Sequence, residues 1–479
     1  MAPDLPGGRP RNPVLVLGGG IGGLTVALDL ARAGLRPLVL EAGAVPGGVV
    51  SSHTVGGLTL DAGAESFAVG RPATAALIDD LGLTDRVVSP SPVGAWVRHA
   101  GGAAPLPALA YLGIPGHPWA ADVRRIIGLP GSFRALLDRV RPVRAAEGSP
   151  GSLGALVRQR MGRRVLDRLV EPVAGGVYAA DPDTLDLGIV APGLPAALRR
   201  TGSLAAAARE LRGAGGRPGS AVASLIGGLH TLVPALVDGV TAAGGMVRTG
   251  VRVDALSAST AGGWLVATDA GEFRADRVVL ALPAPASAQL LAAARLPAVS
   301  AVDVLAQPVS PVALVTLVID DARLDAAPRG TGILVSARVR GPRAKALTHA
   351  TAKWPWLAAT AGPGRHVLRL SYGRGPADRL PGDADLPGLA LADAVDLLGV
   401  PLPAGALVDA DVVHWDAALP VPRPGHADTV ATLRTAAAPA GLTVVGSAVA
   451  GTGLGAVIGD ARAQARTLID VVSSTPAAG

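Results

Sequence analysis

A glycine cluster near the start of the printed sequence constrains the fold more than any other feature. The apolar run VLVL at residues 14–17 predicts a short strand, and Gly18, Gly20 and Gly23 follow it with the spacing G-x-G-x-x-G. The next residues, LTVALDLARAG, predict an amphipathic helix that ends at Gly34. Strand, glycine turn and helix therefore follow one another in the order of a dinucleotide-binding unit.

The second strand of this unit carries an acidic residue at its end. The segment RPLVLE predicts a strand that finishes on Glu41, which completes a βαβ unit. The glycines allow a tight turn, close approach of a pyrophosphate and close packing of helix on strand. A diphosphate would sit at the helix N-terminus, and Glu41 would accept hydrogen bonds from a ribose and repel a 2′-phosphate. The alternative is a glycine-rich turn with no ligand.

Composition excludes several other classes of function. A chain of 479 residues exceeds one ordinary core, which predicts two or three domains. The net charge of +6 is spread along the chain without a dense basic run, so we expect no nucleic-acid partner. The absence of cysteine excludes disulfides and thiolate sites, and the eight histidines lack metal-ligand spacing, so we expect no metal.

A second glycine pair follows the βαβ unit and points to a flavin. EAGAVPGGVVSS carries Gly47 and Gly48, and GGLTLDAGAESF follows it. This sequence resembles the second signature of the flavoprotein superfamily of amine oxidases, carotenoid desaturases and protoporphyrinogen oxidases. The resemblance implies that the glycine pair extends the pyrophosphate cradle. Many relatives have basic residues where Val45 and Val49 stand, so another group or the backbone would neutralise the phosphates here.

The stretch GSAVAGTGLGAVIGDARAQA at residues 446–465 could be a membrane span, a linker or part of a binding site. The preceding GLTVVG resembles a strand, and the following residues have helical spacing with charged positions, which predicts strand, loop and helix rather than a membrane span. In the resembled family this segment is the second flavin contact, with the helix N-terminus directed at the isoalloxazine ring. MVRTGVRVDALS predicts two short strands and resembles the adenine-contacting segment, here through Val253.

Motifs in the middle of the chain narrow the resemblance. In family order, these are EPVAGGVYAADPDTLDL, SLIGGLHTLVPALVDGV, KALTHATAKWPWL, HVLRLSYGRG and HWDAALPVPRPGH. Together they resemble the oxygen-dependent FAD-containing porphyrinogen oxidases, and the TAKWPW and SYGRG details resemble the Gram-positive branch that acts on coproporphyrinogen III. Arg423 replaces an aromatic residue common in the last motif, which leaves a stacking role there open.

The resemblance implies a function in haem biosynthesis. We expect a non-covalently bound FAD and aromatisation of coproporphyrinogen III to coproporphyrin III with O₂, releasing H₂O₂. Because the cofactor performs the difficult step, we predict no catalytic side chain. The predicted cofactor-binding residues are Gly18, Gly20, Ile21, Gly22, Gly23, Glu41, Ala42, Gly47, Gly48, Val253, Gly446, Gly451, Thr452, Gly453 and Leu454.

The resemblance also implies a set of substrate-binding residues. Arg71 stands where the branch often has a basic residue near the flavin, and a guanidinium group suits a propionate; the alternative is an exposed arginine before a proline-started helix. Gly176 and Tyr178 would line the pocket, with core packing as the alternative. Gly332 and Leu334 would face the flavin and the ring edge, which a buried strand explains nearly as well.

The predicted fold is α/β: a Rossmann-like FAD-binding domain of the amine oxidase and protoporphyrinogen oxidase superfamily, with an α+β substrate domain and a helical domain. We predict the FAD-binding domain from residues 12–70, 220–295 and 413–479. The substrate domain would comprise 71–102 and 296–412, and the helical domain 103–219. In the family the helical domain is sometimes membrane-associated, and an arginine-bearing amphipathic helix is compatible with peripheral attachment, although a solvated face is the commoner explanation.

Other functions remain open at this point. A protoporphyrinogen IX oxidase, an amine oxidase, a carotenoid desaturase and a non-catalytic flavin-binding scaffold are the alternatives. The presence of only three Phe and three Tyr argues against the aromatic cage of amine oxidases, and a different C-terminal glycine motif argues against desaturases. The N-terminal residues lack the apolar core of a signal peptide, so we expect a cytoplasmic protein. Contact with a downstream haem-pathway enzyme is left open.

Overall fold

A computed structural model describes residues 11–143, 151–213, 222–260, 262–294, 305, 308–421 and 425–474. Within these ranges the strands are β1 (Arg11–Leu17), β2 (Leu38–Leu40), β3 (Ser52–Val55), β4 (Leu58–Asp61), β5 (Phe67–Ala68), β6 (Val87–Val88), β7 (Trp96–His99), β8 (Gly102–Pro105), β9 (Ala110–Tyr111), β10 (Ile114–Pro115), β11 (Val222–Leu225), β12 (Met246–Arg248), β13 (Val253–Ala258), β14 (Trp264–Thr268), β15 (Gly271–Leu280), β16 (Val309–Asp320), β17 (Gly332–Val335), β18 (Ala346–His349), β19 (Arg365–Tyr372), β20 (Leu407–Pro420) and β21 (Leu442–Val444).

The helices of the described residues are α1 (Ile21–Arg32), α2 (Pro72–Asp80), α3 (Ala121–Leu136), α4 (Leu153–Met161), α5 (Arg163–Val165), α6 (Glu171–Tyr178), α7 (Leu187–Val190), α8 (Leu194–Thr201), α9 (Leu204–Arg212), α10 (Leu232–Ala242), α11 (Ala284–Ala293), α12 (Ala350–Lys353), α13 (Pro355–Ala361), α14 (Leu386–Leu398), α15 (His426–Ala437), α16 (Ser447–Ala450) and α17 (Leu454–Ser474).

The first large sheet contains the predicted βαβ unit. Strand β1 lies between β2 and β15 and is parallel to both, while β12 extends the sheet beyond β2 and β21 pairs in parallel with the end of β15. Strands β14 and β13 continue the sheet in antiparallel fashion. The parallel strands all end at the same edge of the sheet, where an open α/β sheet places its ligands.

The alternation of β1 explains how this sheet is buried on both faces. Val14 and Val16 pack into one core with α1, α10 and α17, whereas Leu15 and Leu17 pack into the opposite core. All four side chains are fully buried. A parallel strand covered on both faces is expected to be continuously apolar, as VLVL is.

The second large sheet has the order β20-β16-β19-β18-β17-β7-β8, and its pairs are antiparallel except for β17 and β7. Helix α14 contributes to the core on one face of this sheet. The β3–β4 hairpin and helices α12 and α13 form a smaller core with Val318 and Val367. Strand β20 spans residues on both sides of the predicted boundary at 412 and 413, and the division into domains stays a prediction.

The segment predicted as helical begins with three short strands, β8, β9 and β10, before α3 starts at Ala121. Helices α3 to α9 then form their own apolar core. The break in α3 lies at Gly128, whose positive φ of 71° is followed by Pro130. The charged centre of this core is Asp138, which accepts hydrogen bonds from Arg160 Nε at 2.5 Å and Ser203 Oγ at 2.7 Å.

Several local predictions are confirmed with shifted ends. The first strand begins at Arg11 rather than at residue 14, and the helix begins at Ile21, because the backbone is already helical within the glycine cluster. The strand, loop and helix predicted around residues 442–465 are β21, the glycine-rich loop with α16, and α17. No helix in the described part of the chain is both long and apolar enough to cross a membrane.

Candidate active site

The turn between β1 and α1 requires its glycines. Gly18 has a φ of +105°, and a Cβ placed there would lie 2.6 Å from the carbonyl oxygen of Ala281. A Cβ at Gly23 would lie 2.1 Å from the carbonyl oxygen of Gly18. These contacts show the tasks expected of the first and third glycines, the tight turn and the close packing of helix on strand.

The middle glycine of the turn faces open space. Gly20 is the N-cap of α1, and no atom of the described residues lies within 4 Å of a Cβ built on it. Among these residues no side chain caps the helix there. Ile21 and Gly22 form the first helical turn, so their backbone amides belong to the set that a helix leaves without partners. A phosphate can take their place as acceptor.

The second glycine pair lies directly on this turn. Gly47 N donates to Gly19 O at 2.8 Å, and Gly47 forms a parallel bridge with Gly20. A Cβ at Gly48 would lie 3.6 Å from the Cα of Gly20. The structure therefore brings together the two glycine segments expected to form one cradle. Val45 and Val49 are both exposed beside it.

Glu41 stands at the end of β2 and is engaged with the backbone. Its Oε2 accepts from Gly19 N and its Oε1 from Gly43 N, each at 2.7 Å. The carbonyl oxygen of Glu41 accepts from Val251 N at 2.9 Å, which places the segment leading to Val253 beside this carboxylate. Ala42 is exposed, and Val253 is partly buried at the start of β13.

The C-terminal glycine segment meets the N-terminal turn. A Cβ at Gly22 would lie 3.5 Å from Gly446 Cα and 3.2 Å from Val457 Cγ1. Gly446 and Gly451 have φ angles of +107° and +91°. From there the chain passes through Thr452 and Gly453 to Leu454, the first residue of α17. More than 400 residues thus separate two segments that form one side of the site.

The arrangement fits an extended dinucleotide. Gly20, Gly446 and Gly453 each have open space where a Cβ would stand, with no described atom within 4 Å. Backbone at these positions can approach a ligand more closely than any side-chain-bearing residue would allow. Gly20 follows β1 and Gly446 follows β21, at the carboxyl ends of parallel strands, and together with Gly453 before α17 these residues would hold FAD.

Arg71 lies at the junction of α2 and α17. It is the exposed N-cap of α2, and its Cβ and Cγ would both be 2.8 Å from a Cβ at Gly455, on the first turn of α17. Its guanidinium group is close enough to act electrostatically on the hydroxyls of Tyr111 and Tyr178. The arginine is therefore neither buried nor remote from the predicted flavin segment.

Tyr178 is half-buried and weakly bonded. Its hydroxyl donates to Val190 O at 3.4 Å, and burial, aided by Tyr111 and opposed by Arg71, raises the pKa of Tyr178 to about 12. Burial also raises the pKa of Tyr111. Both hydroxyls therefore remain protonated at neutral pH and can donate hydrogen bonds near Arg71.

The other predicted substrate residues come together on α6 and β17. A Cβ at Gly176 would lie 2.9 Å from Leu334 Cδ2, so helix and strand touch at these two positions. Leu334 is partly exposed. Gly332 has a φ of +143°, and a Cβ there would lie 2.2 Å from Leu347 O, so strand packing alone accounts for this glycine.

A buried ionic cluster near the site was not assigned by the sequence. Glu65 accepts from Lys353 Nζ at 2.5 Å and from Arg369 Nη1 at 2.9 Å, and Arg369 Nη2 donates to Gly63 O at 2.7 Å. Burial by itself would raise the pKa of Glu65, but the two cations overcome this effect and lower it to about 2. The sequence feature that could have indicated this cluster is Arg369, an arginine inside the apolar segment HVLRLSY. The local sequence does not indicate which carboxylate pairs with it.

One motif residue lies outside the described residues. Arg423 belongs to residues 422–424, which the structure does not describe. Elsewhere in the same motif, Trp415 Nε1 donates to Ala62 O at 3.2 Å, and Gly425 N donates to Asp186 Oδ2 at 3.2 Å. The motif therefore contacts both the segment before Glu65 and the helical region.

Comparisons with known proteins agree with this architecture. The sequence model of a family described as flavin containing amine oxidoreductase matches residues 21–468. The chain is 33% identical to a coproporphyrinogen III oxidase of Mycobacterium tuberculosis, over 96% of this chain and 98% of that protein. It is 26% identical to the coproporphyrinogen III oxidase of Bacillus subtilis, over 93% of this chain and 95% of that protein.

A solved structure extends the similarity to the whole fold. The crystal structure of a putative protoporphyrinogen oxidase from Exiguobacterium superposes with a TM-score of 0.83 at 26% identity, covering 97% of this chain and 100% of the other. The predicted FAD-type fold is thereby confirmed. The chain belongs to the flavin containing amine oxidoreductase family, on the branch that includes these coproporphyrinogen III oxidases.

Proposed function

We propose that this chain is an FAD-dependent oxidase that converts coproporphyrinogen III to coproporphyrin III. The observation that carries the proposal is the position of Arg71 against Gly455, at the start of α17, in a chain of this branch. A cation lies there beside the predicted flavin segment, where an anionic tetrapyrrole could be oriented.

The cofactor performs the oxidation in this proposal. Bound FAD would accept hydride from the methylene bridges of the porphyrinogen and would be reoxidised by O₂ to give H₂O₂. Removal of six electrons and six protons aromatises the ring, so three O₂ are consumed and three H₂O₂ released per porphyrin. The polypeptide needs to bind, orient and desolvate the substrate rather than to attack it.

The chain's own residues would divide this work. Arg71 would bind a propionate carboxylate through two hydrogen bonds of its guanidinium group. Protonated Tyr178 and Tyr111 would donate to the same carboxylate or to a neighbouring one. Leu334 would contact the ring, and Gly176 would set the position of its side chain, because a Cβ at Gly176 would lie 2.9 Å from Leu334 Cδ2.

Protoporphyrinogen IX is the second candidate substrate, because the similar Exiguobacterium structure bears the name of a putative protoporphyrinogen oxidase. Side-by-side turnover of both porphyrinogens by FAD-loaded enzyme, followed by porphyrin fluorescence and peroxidase-coupled H₂O₂ detection, tests the proposal. We expect a higher kcat/KM with coproporphyrinogen III and three H₂O₂ per porphyrin. Faster oxidation of protoporphyrinogen IX would show that the chain is a protoporphyrinogen IX oxidase instead. FAD binding without turnover of either porphyrinogen would favour a non-catalytic flavin-binding scaffold.

We propose in addition that the protein is cytoplasmic and contacts the membrane peripherally. The helical region exposes Leu129, Phe133, Leu137 and Val140 on and after α3, with exposed fractions of 55%, 61%, 55% and 80%. Nearby, the Trp119 ring packs edge-on against Phe133 at 4.8 Å and lies under Arg124. Apolar side chains flanked by arginine suit an anionic lipid surface.

Vesicle co-sedimentation tests this contact. We expect the protein to sediment with vesicles that contain phosphatidylglycerol and less with pure phosphatidylcholine vesicles. Phe133→Ser should weaken the binding, whereas Met246→Ser, which alters an exposed apolar residue elsewhere, should not. Equal sedimentation of the two variants would contradict the assignment of this surface.

A further inference from the structure

A polar cavity beside the predicted substrate site has no assigned role. Its volume is about 200 Å³, and it lies between the chain after β17 and the chain after β19. The residues that line the cavity include Ala337, Arg343, Tyr372, Arg374, Asp378 and Arg379. Three of these residues are arginines and one is acidic.

One of the three arginines is fixed by the backbone. Arg374 Nη1 donates to Val335 O at 2.9 Å and its Nη2 to Ala344 O at 3.1 Å. Its own backbone N–H donates to Asp378 Oδ2 at 3.0 Å. Arg374 therefore contributes charge to the cavity wall while it ties the end of β17 to the start of β18.

The other two arginines keep most of their donors free. Arg343 Nη2 donates to Arg379 O at 3.2 Å, and both side chains are exposed. Neither guanidinium group contacts a carboxylate in the described part of the chain. Two unpaired guanidinium groups at one cavity are suited to an external carboxylate, which they can bind through paired N–H donors.

The nearby acidic groups already have partners. Asp393 accepts from Ala344 N at 2.9 Å and from Tyr372 Oη at 3.1 Å, and Glu171 accepts from Ala337 N at 3.1 Å. Lys345 Nζ donates to Gly373 O at 2.7 Å just behind the cavity wall, and burial lowers the pKa of Lys345 to about 7, so this group carries only part of a positive charge at neutral pH. The two carboxylates, and that of Asp378, bond to backbone N–H groups or to Tyr372, and none of them contacts the guanidinium group of Arg343 or Arg379.

The cavity lies within reach of a substrate at Leu334. Ala337 is three residues past Leu334, and because it lies in the turn after β17, the distance between the two Cα atoms is less than the roughly 10 Å of an extended chain. Helix α6 spans the same interval, since Gly176 touches Leu334 and Glu171 accepts from Ala337 N. A tetrapyrrole that contacts Leu334 can therefore direct one side-chain arm along β17 toward the arginines.

We propose that Arg343, Arg374 and Arg379 form a second carboxylate-binding site, which takes a propionate arm that coproporphyrinogen III has and protoporphyrinogen IX lacks. This inference rests on the proposed function and adds a determinant of specificity separate from Arg71. A vinyl group in this cavity would leave the guanidinium groups without a carboxylate, so discrimination arises from the missing charge pair.

The test compares two substrates in matched variants of the FAD-loaded enzyme. Arg343→Ala/Arg379→Ala removes the two free guanidinium groups and leaves Arg374 in place. Arg36→Ala removes one exposed arginine far from the cavity and serves as the control. We expect KM for coproporphyrinogen III to rise roughly tenfold in the double variant and KM for protoporphyrinogen IX to change less than about twofold, as loss of a charged hydrogen-bonded pair predicts. Equal changes for both substrates, or none, would overturn the inference.

Two further measurements are needed. One distinguishes a propionate of the substrate from free phosphate as the ligand of the cavity, and the other distinguishes failure of this inference from failure of the proposed function. Inorganic phosphate should raise KM for coproporphyrinogen III by a larger factor in the unaltered enzyme than in the double variant, which keeps only the Arg71 site. If phosphate stabilises the fold through these arginines while porphyrin kinetics are unchanged in the variant, the cavity is a free-anion site and the inference is wrong. If the unaltered enzyme oxidises neither porphyrinogen, the proposed function is wrong. In that case the affinities of the unaltered enzyme and the double variant for coproporphyrin III and protoporphyrin IX, measured by fluorescence, would still test the role of the cavity.

Discussion

Gly22 and Gly446 contact each other on one side of the candidate site, with 3.5 Å between a Cβ built on Gly22 and the Cα of Gly446. One residue belongs to the first turn of α1, and the other follows β21. Their contact means that neither glycine segment forms the site alone. Changes at either segment should therefore affect flavin binding and stability together.

Gly23→Ala should weaken both FAD retention and the fold. The new Cβ would lie 2.1 Å from Gly18 O, so α1 must shift away from β1, at a cost of about 1–3 kcal/mol. The ratio of flavin to protein absorbance and the Tm of the purified protein measure the effect. Gly388→Ala is the matched control, because no described atom lies within 4 Å of a Cβ at this helical glycine. Equal Tm and flavin content in the two variants would contradict the packing role.

Glu41→Gln should loosen FAD without unfolding the protein. The carboxylate accepts from Gly19 N and Gly43 N, and an amide can replace one of these acceptor oxygens but not both. We expect Kd for FAD to rise about tenfold, since a charged hydrogen bond contributes about 1.5–3 kcal/mol. Flavin fluorescence titration gives Kd, and Asp85→Asn, at an exposed carboxylate elsewhere, provides the comparison. An unchanged Kd would remove Glu41 from the binding site.

Arg71→Met should raise KM for coproporphyrinogen III roughly tenfold while FAD content stays constant. Methionine preserves much of the apolar stem that packs near Gly455 and removes only the charged end. If the guanidinium also orients the ring, kcat falls with it, because misplacement costs reactive geometry. Arg71→Lys should recover part of the loss by restoring charge without the planar pair of donors. Unaltered steady-state kinetics in Arg71→Met would show that Arg71 does not bind the substrate and is only the N-cap residue of α2.

Glu65 should make the stability of the protein depend on acidic pH. Its pKa is lowered from 4.5 to about 2, so the unfolded chain takes up the proton first as the solution is acidified. The stabilisation is therefore complete above about pH 4.5 and is lost as pH falls toward 2, with a total of about 3 kcal/mol. Denaturant unfolding at a series of pH values measures this.

The variant Glu65→Gln separates this carboxylate from the remaining acidic groups. It leaves Lys353 and Arg369 without their anion and should reduce the free energy of unfolding at neutral pH by about 3 kcal/mol. The acid-induced loss should then be smaller than in the unaltered protein. Lys353→Met, which leaves Arg369 to hold Glu65, should have an intermediate effect. If the free energy of unfolding falls equally with pH in Glu65→Gln and in the unaltered protein, other groups account for the acid-induced loss of stability.

The glycine turn of the candidate site could be predicted from the sequence, because its ligand chemistry and its backbone geometry both depend on a short local segment. Gly18 and Gly23 could be predicted to pack tightly because their spacing after an apolar strand permits few conformations. The resemblance implied that Gly47 and Gly48 extend the pyrophosphate cradle, and the structure places Gly47 against Gly19 and Gly20. The roles of the predicted binding residues stay predictions, since geometry brings them together without a ligand.

The missed features depend on distant pairing. Glu65 pairs with Lys353, 288 positions away, and with Arg369, 304 positions away. No local sequence pattern indicates which carboxylate pairs with which cation. Strands β8, β9 and β10 were missed because their few residues carry too little alternation to outweigh the helical pattern that follows. The cavity with Arg343 and Arg379 likewise arises where two loops from different strands meet.

The place of β21 in the first sheet has a consequence for biosynthesis. Strand β15 gains this parallel neighbour only after more than 400 residues beyond β1 have been made. Until then the edge of β15 and the apolar side of α1 that packs with α17 stay uncovered on the ribosome, where exposed strand edges invite aggregation. Gly446 and Gly453 are predicted to complete the flavin cradle, so on this prediction flavin capture waits for the same event. Cofactor loading would then come at the end of translation, and flavin shortage would act on a nearly finished polypeptide rather than on a nascent domain.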